Sequence, residues 1–323
     1  MTTNRSSRRS RSRRWLVGIK FNAQINKNPK KIEDILIVTN TSKKNSTYES
    51  SELKRNMEIM SLTEYLEVTT VVGCSGNCSD YCAQEVFLKR YRSNIKVLTP
   101  VKFKEMLKNV PSDLPIIFGG FSEPFGNHHL IELLQLAQNY GHPLGMFSTL
   151  MGASDPQIEE LIRFKFAFFC VHLPDEVHFK LPITREYMNH FFRVALNIRV
   201  VSIMQMNDNF KSVNREKILR GEPQLSKTAG FCRHGTFTKG RARLMVLPNG
   251  IVYPCTMDMG LNYPVGNLLT EKYEAIVSKV KLTRRFALCQ FCIYNESPPE
   301  YSLRRVKSLV GKFLLVKDRI GIS

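Results

Sequence analysis

The alternation of apolar and polar positions changes character twice along this chain of 323 residues. Up to about residue 56 polar residues dominate, and the one clear apolar run is Ile35-Leu36-Ile37-Val38. From about residue 66, short β-type runs alternate with amphipathic stretches. Val68–Val72, Ile95–Leu98, Pro115–Phe118, Gly145–Thr149, Phe166–Val171 and Ile198–Met204 read as strands. Leu130–Ala137 and Ile158–Ile162 between them read as helices. Strands alternating with helices imply βαβ units and a parallel sheet. About six such units fit between residues 66 and 220, too few for a closed eight-stranded barrel and suited to a partial one. After Lys227 the pattern becomes strand, turn and strand: Leu244–Leu247, an Asn249-Gly250 hairpin signal, then Ile251–Tyr253. Helices are expected over 271–279 and 303–317. These changes divide the chain into a basic, disordered segment (1–56), an α/β core (57–225) and a small α+β domain (226–323).

Composition narrows the class. The net charge is +19, but residues 1–32 hold ten Lys and Arg and no acid, which leaves +9 on the remainder. No specific nucleic-acid partner follows from that balance, since basic charge alone speaks to non-specific association. No apolar run approaches 18 residues, so no membrane-spanning helix is expected. The Arg/Ser-rich start has three readings: an organelle transit segment, a tail for nucleic acid or acidic surfaces, or upstream sequence with the working chain starting near Met57 or Met60. The third is favoured, because organised sequence begins just after those methionines. The absence of an apolar secretory core places the chain in the cytoplasm as an expectation. Reduced cysteines there point to metal chemistry more than to disulfides.

Of the eight cysteines, Cys74, Cys78 and Cys82 fall within nine residues, in a loop directly after a strand. Three thiolates can hold three corners of a [4Fe–4S] cube and leave the fourth iron open to a ligand. Structural zinc would usually want a fourth protein ligand, and none is adjacent. Cys232, Cys255 and the C-x2-C pair Cys289 and Cys292 lie in the C-terminal part. Four thiolates complete either a zinc site or a second cluster, and spacing does not choose between them.

The first loop, with Tyr81 just before its last cysteine, resembles the radical S-adenosylmethionine (SAM) superfamily, whose signature is C-x3-C-x2-C. Here the second gap holds three residues instead of two. Phe118-Gly119-Gly120-Phe121-Ser122-Glu123-Pro124 is similar to that family's glycine-rich segment. The resemblance implies that Gly119, Gly120 and Glu123 hold SAM, with Glu123 receiving its ammonium. Ser148 and Thr149, at a strand end, are candidates for its ribose or carboxylate; Gln205 and Asn207 end another strand. The stretch Gly250 to Cys255, then Gly266-Asn267, then C-x2-C, resembles the SPASM auxiliary-cluster domain. That implies one auxiliary cluster on Cys232, Cys255, Cys289 and Cys292, the first in a longer spacing than the family usually has.

Together the resemblances imply a partial (β/α)6 barrel of radical SAM type with a small iron–sulfur domain. They imply an enzyme that reductively cleaves SAM to a 5′-deoxyadenosyl radical, which takes hydrogen from a peptide, sugar or small-metabolite substrate, with a reductase as electron donor. The alternative is a protein stabilised by zinc or structural iron–sulfur sites that binds without radical catalysis. Cys170 reads as a buried core thiol. His172 and Asp175 could face the site and move protons, although a structural role is the plainer reading. His128 and His129 read as surface or packing residues. The amphipathic stretch from Arg304 to Arg319 docks on the domain or lies on an anionic membrane.

Overall fold

The computed structural model describes residues 64–74, 76, 82–173, 183–205, 231–232, 242–282, 289, 292 and 295–296. The basic N-terminal segment, the boundary expected near residue 225 and the helix expected over 303–317 lie outside the described residues. Strand β1 is Tyr65–Val68, β2 Ile116–Phe118, β3 Leu144–Ser148, β4 Phe166–Leu173 and β5 Val201–Gln205. Short strands β6 (Phe231–Cys232), β7 (Arg243–Val246), β8 (Ile251–Tyr253), β9 (Gly266–Asn267) and β10 (Asn295–Glu296) follow. The main sheet has the order β5-β4-β3-β2-β1-β7-β8-β9, and β6 pairs with β10 separately. All neighbours from β5 to β7 are parallel, while β7/β8 and β8/β9 are antiparallel. The expected α/β fold with an open parallel sheet is therefore present.

The membership of that sheet differs from the sequence expectation in one respect. Ile95–Leu98 is not a sheet strand; it makes only an antiparallel bridge, Val97 to Val71. The sixth parallel strand is β7, which enters from the C-terminal part beside β1. All four of its residues are buried, as a strand covered on both faces requires. The first strand also ends earlier than the apolar run suggests. Thr69 N still donates to Val246 O at 3.0 Å, but Thr70 and Val72 then pair with Leu98 and Lys96 and not with the main sheet, while the Thr69 and Thr70 hydroxyls meet Phe121 N and Pro124 O.

Among the described residues, six helices accompany the sheet: α1 (Gln84–Arg90), α2 (Pro100–Leu107), α3 (Leu130–Asn139), α4 (Asp155–Leu161), α5 (Arg185–Asn197) and α6 (Tyr273–Leu282). Caps fix their starts. The Thr99 hydroxyl accepts from Lys102 N at 3.4 Å, with Pro100 opening α2. Ser154 and Gln157 form a capping box on α4. Helix α5 runs to Asn197, which is why β5 begins at Val201 and not at Ile198.

Residues paired across parallel strands share a face. Leu66, Val68, Ile116, Phe118, Met146 and Phe169 are at most 1% exposed, and Phe103 of α2 meets the Phe118 ring at 5.9 Å. That face is the helix-covered core. The opposite face carries Glu67, Thr69, Gly119, Phe147, Cys170, His172 and Met245, as the registers require.

Candidate functional site

The site is built where parallel strands end, because there the chain leaves the ladder and its side chains and backbone N–H groups are open to new partners. The chain leaves β1 through Gly73, whose φ of +107° is in the left-handed region. The Cys74 thiol accepts from Gly76 N at 3.4 Å. Burial pushes this thiol above its usual range, while N–H groups of Gly76 and Glu123 pull the other way. The nearby Glu123 carboxylate and Cys82 thiol add to the upward push. Cys74, Cys82 and Glu123 are thus within electrostatic reach of one another. Cys78 and Tyr81 lie outside the described residues. Cys82 packs on an apolar cluster of Phe87, Phe121, Met245, Leu247 and Tyr253, which joins it to residues of β7, β8 and α1.

The glycine-rich segment after β2 is stitched to the stem of the cysteine loop. Gly119 N donates to Val68 O at 3.0 Å. Gly120 N donates to the Glu67 carboxylate at 2.8 Å, and Phe121 N to the Thr69 hydroxyl at 3.1 Å. The Ser122 hydroxyl donates to Val71 O at 2.5 Å. Gly120 has φ +79°, and a Cβ there would stand 2.2 Å from the Thr69 hydroxyl; only glycine fits. Buried Asn127 closes the seam, donating to Thr70 O and Leu98 O, both at 2.9 Å. The Gln84 side chain, two residues past Cys82, donates to Phe121 O.

Glu123 ends this segment, and it is buried. Ser148 Oγ donates to its Oε1 at 2.5 Å; Thr149 N and Oγ1 donate to Oε2 at 2.7 and 2.6 Å. The Phe125 N–H also bonds the carboxyl group. A carboxylate has about four acceptor positions, so the protein fills them all. Burial nevertheless raises the Glu123 pKa above the usual carboxylate range, against the lowering by these donors. The turn behind it is strained: Leu150 has φ +61°, and its N–H is held by Ser148 Oγ at 2.8 Å. The structure therefore gathers Cys74, Cys82, Gly119, Gly120, Glu123, Ser148 and Thr149 in one neighbourhood, with Ser148 and Thr149 serving Glu123. Gln84 and Asn127 belong to it too. As isolated polar residues in no repeating pattern, they left no signal in the sequence.

The second cysteine group assembles differently. Cys255, Cys289 and Cys292 pack with Met257 and Tyr263 in one small cluster. Met257 N donates to Cys255 Sγ at 3.3 Å, and Cys292 N to Cys289 O at 3.3 Å. β6 pairs with β10 so that Cys232 stands opposite Asn295, three residues past Cys292. The chain thus returns Cys232 to the C-x2-C pair despite its long spacing. Buried Asp258 braces the adjoining loop, accepting from Asn262 N at 3.0 Å and Tyr263 N at 2.9 Å. Burial pushes its carboxyl up to about 6. Among the described residues no three Cys, His, Asp or Glu side chains stand ready to hold one metal ion. Soft thiolate donors of this kind suit iron–sulfur clusters or zinc.

The remaining candidates stand apart. Cys170 is a core thiol, 1% exposed and raised by burial to about 11. His172 is half-buried on the sheet face opposite Leu66 and Phe118, its ring 5.8 Å from Phe147. His128 and His129 stack on each other at 3.9 Å. Asp175 and Asn207 lie outside the described residues. Among the described residues no helix is long and apolar enough to cross a membrane.

Residues 237–299 match the SPASM family, an iron–sulfur cluster-binding domain. No curated protein matches the sequence. Two crystal structures of BtrN are similar in shape. The complex with AdoMet and 2-DOIA has a TM-score of 0.53 at 17% identity, covering 69% of this chain and 85% of BtrN. A selenomethionine form in an open conformation has a TM-score of 0.50 at 15% identity, covering 72% and 92%. At such identity the likeness establishes the fold, an open α/β sheet of partial-barrel type.

Proposed function

We propose that this chain, with its partial α/β barrel and SPASM segment at 237–299, is a radical SAM enzyme. It would cleave SAM reductively and abstract hydrogen from a small-molecule or peptide substrate. BtrN, which shares the fold, binds AdoMet. The observation that carries the reading is the seam between the cysteine loop and the glycine-rich segment. It fixes Cys74 beside the buried Glu123 at the open ends of the parallel strands.

Cys74, Cys78 and Cys82 would hold the catalytic [4Fe–4S] cluster, whose bound chemistry is one-electron cleavage of SAM to a 5′-deoxyadenosyl radical. Cys74 suits that ligation. Its thiol is kept protonated by burial in the metal-free chain, and iron would displace the proton. The N–H groups of Gly76 and Glu123 stabilise the resulting thiolate. Gly119 and Gly120 let the backbone approach the cofactor closely. Glu123, its acceptor positions filled, acts on the SAM ammonium through its charge, and Ser148 and Thr149 hold that charge in place. Phe147 and Phe168, ring centroids 4.9 Å apart on one face of the sheet, help exclude water. Cys232, Cys255, Cys289 and Cys292 would hold one auxiliary cluster, and a reductase would supply electrons.

The test is anaerobic reconstitution with iron, sulfide, reductant and SAM. The expected products are 5′-deoxyadenosine and methionine, absent when Cys74 is replaced by Ser. A reconstituted, iron-loaded protein that yields neither would overturn the reading.

A further inference from the structure

One exposed strip of chain flanks the first cysteine loop on both sides. Helix α1 starts two residues past Cys82. At the other end of the strip, Lys96 O accepts from Val72 N at 2.7 Å, two residues before Cys74. Val97 bridges Val71 beside it, and between these anchors the Tyr91 hydroxyl donates to Ile95 O and closes the turn after α1. Cys74 and Cys82 are half-buried, so neither thiol is sealed inside the protein. Residues 85–96 carry Lys89, Arg90, Arg92 and Lys96 against one acid, Glu85, and all four cations are exposed. Glu85 pairs with Lys89 at 3.6 Å. Arg90, Arg92 and Lys96 form no ion pair among the described residues, whereas Arg163 and Arg193 are tied to Glu160, Asp155 and Glu159. Two exposed apolar side chains stand among these cations, Leu88 at 48% and Ile95 at 36%. Apolar anchors inside a charged rim are the anatomy of a protein interface.

We propose that this strip docks an acidic one-electron carrier protein, the donor that reduces the cluster of the first loop. This rests on the SAM reading above, in which each cleavage needs one electron from outside the chain. The step moves an electron and no atoms: the carrier's reduced centre is oxidised as the cluster passes from [4Fe–4S]2+ to [4Fe–4S]+. Electron transfer falls steeply with distance, so the carrier has to sit close to the loop, and this strip is joined to both of the loop's ends. Charge selects the occupant. The chain's own termini are basic too, with ten Lys and Arg and no acid over 1–32 and six against one acid over 301–323, so like charge disfavours them as a cover. A second copy of the chain would set the same cations against each other. An acidic protein surface is steered by the cations and gives Leu88 and Ile95 an apolar partner. Nucleic acid would satisfy the cations and leave those two side chains in water.

The experiment uses the reconstituted full chain and, as probe, an acidic flavodoxin reduced to its anionic hydroquinone, which gives up one electron to become the neutral semiquinone. Stopped-flow absorbance follows semiquinone formation at low and high salt, with iron content measured on each sample. The proteins are wild type, Arg92→Glu/Lys96→Glu, Leu88→Ser and a control, Lys108→Glu/Lys165→Glu. The two control lysines are exposed and lie at the end of the sheet where β2 and β4 start, one just after α2 and one just before β4. Photoreduced deazariboflavin, a small reductant that needs no docking surface, is run in parallel. The wild-type rate should fall as salt rises. At low salt Arg92→Glu/Lys96→Glu should react at least about tenfold more slowly. Leu88→Ser should lose about threefold at either salt through lost apolar contact, and the control should react as wild type does. Deazariboflavin should reduce all four equally. Equal flavodoxin rates in wild type and Arg92→Glu/Lys96→Glu overturn the inference. So does an equal loss in the control, a loss shared with deazariboflavin, or a wild type that oxidises no flavodoxin. An Arg92→Glu/Lys96→Glu protein that loses affinity for a duplex oligonucleotide but keeps its flavodoxin rate assigns the strip to nucleic acid and overturns it too. Wild type that is photoreduced yet forms no 5′-deoxyadenosine from SAM overturns the enzyme reading itself, and this inference with it.

Discussion

The two cysteine groups are gathered differently along the chain. The first falls within one short loop, and its support is local to strand ends: backbone N–H groups on the Cys74 thiol, side-chain and backbone bonds to the glycine-rich segment, a buried carboxylate, and apolar packing of Cys82. The second is collected from distant parts of the chain. Its support is packing on Met257 and Tyr263, a backbone N–H on the Cys255 thiol and the β6/β10 pairing. A site confined to one loop on a finished sheet can change without disturbing the sheet. A site that is itself the junction of separate segments cannot.

The largest effects should come from testing that contrast directly. Replacing Cys292 by Ser should remove about four iron atoms per chain and lower the unfolding midpoint by several degrees, since bound metal contributes folding energy. Replacing Cys74 by Ser should remove a similar amount of iron while leaving the midpoint nearly unchanged. Iron analysis and thermal unfolding on the same samples decide it, and equal midpoint losses would erase the distinction.

Next in size is Gly120→Ala. The new Cβ would meet the Thr69 hydroxyl at 2.2 Å in a left-handed backbone, which should cost about 2–4 kcal/mol, read by chemical denaturation. That would locate the rigidity of the first site in its seam and not in its thiols.

Asp258 gives the second site a pH signature. Its folded pKa is raised to about 6, whereas an unfolded Asp titrates near 4. The folded loop therefore keeps a proton that the unfolded chain has released. The stability from this group is full below about pH 4 and is lost as pH rises through 6, by up to about 3 kcal/mol. Denaturation of wild type and Asp258→Asn between pH 4 and 7 should show the difference shifting in favour of the Asn variant as pH rises. A flat difference would mean that the carboxylate is fully compensated by the Asn262 and Tyr263 amides.

The smallest effect belongs to Lys89→Ala on α1, just past the first loop. Its pairing with Glu85 at 3.6 Å is exposed and should be worth under about 0.5 kcal/mol by denaturation.

Contiguous patterns were legible in the sequence. β2, β3 and β4 are apolar runs bounded by turns, and they stand where the runs do. The Asn249-Gly250 signal marks the β7/β8 hairpin, with Gly250 at φ +85°. The sequence singled out the Gly119-Gly120-to-Glu123 segment, and the structure brings it beside Cys74 and Cys82. Tertiary choices were not. Ile95–Leu98 has the composition of a strand, yet β7 takes the place beside β1. Helix α1 buries one side chain, Phe87, too little to show a period. Helix α5 does carry one, in Tyr187, Met188, Phe191 and Val194, a signal that could have been read. The return of Cys232 to the C-x2-C pair depends on two-residue strands, which have no sequence signature. The service of Ser148 and Thr149 to Glu123 depends on how neighbouring strand ends abut.

The central claim is that the cluster held by the first loop offers an open iron to SAM. The most direct measurement is the electron paramagnetic resonance spectrum of the reduced, reconstituted protein, before and after adding SAM labelled with nitrogen-15 at its amino group. A changed signal with hyperfine coupling to the labelled nitrogen is the predicted result. A spectrum that SAM leaves unaltered, with iron and sulfide fully loaded, would contradict the claim.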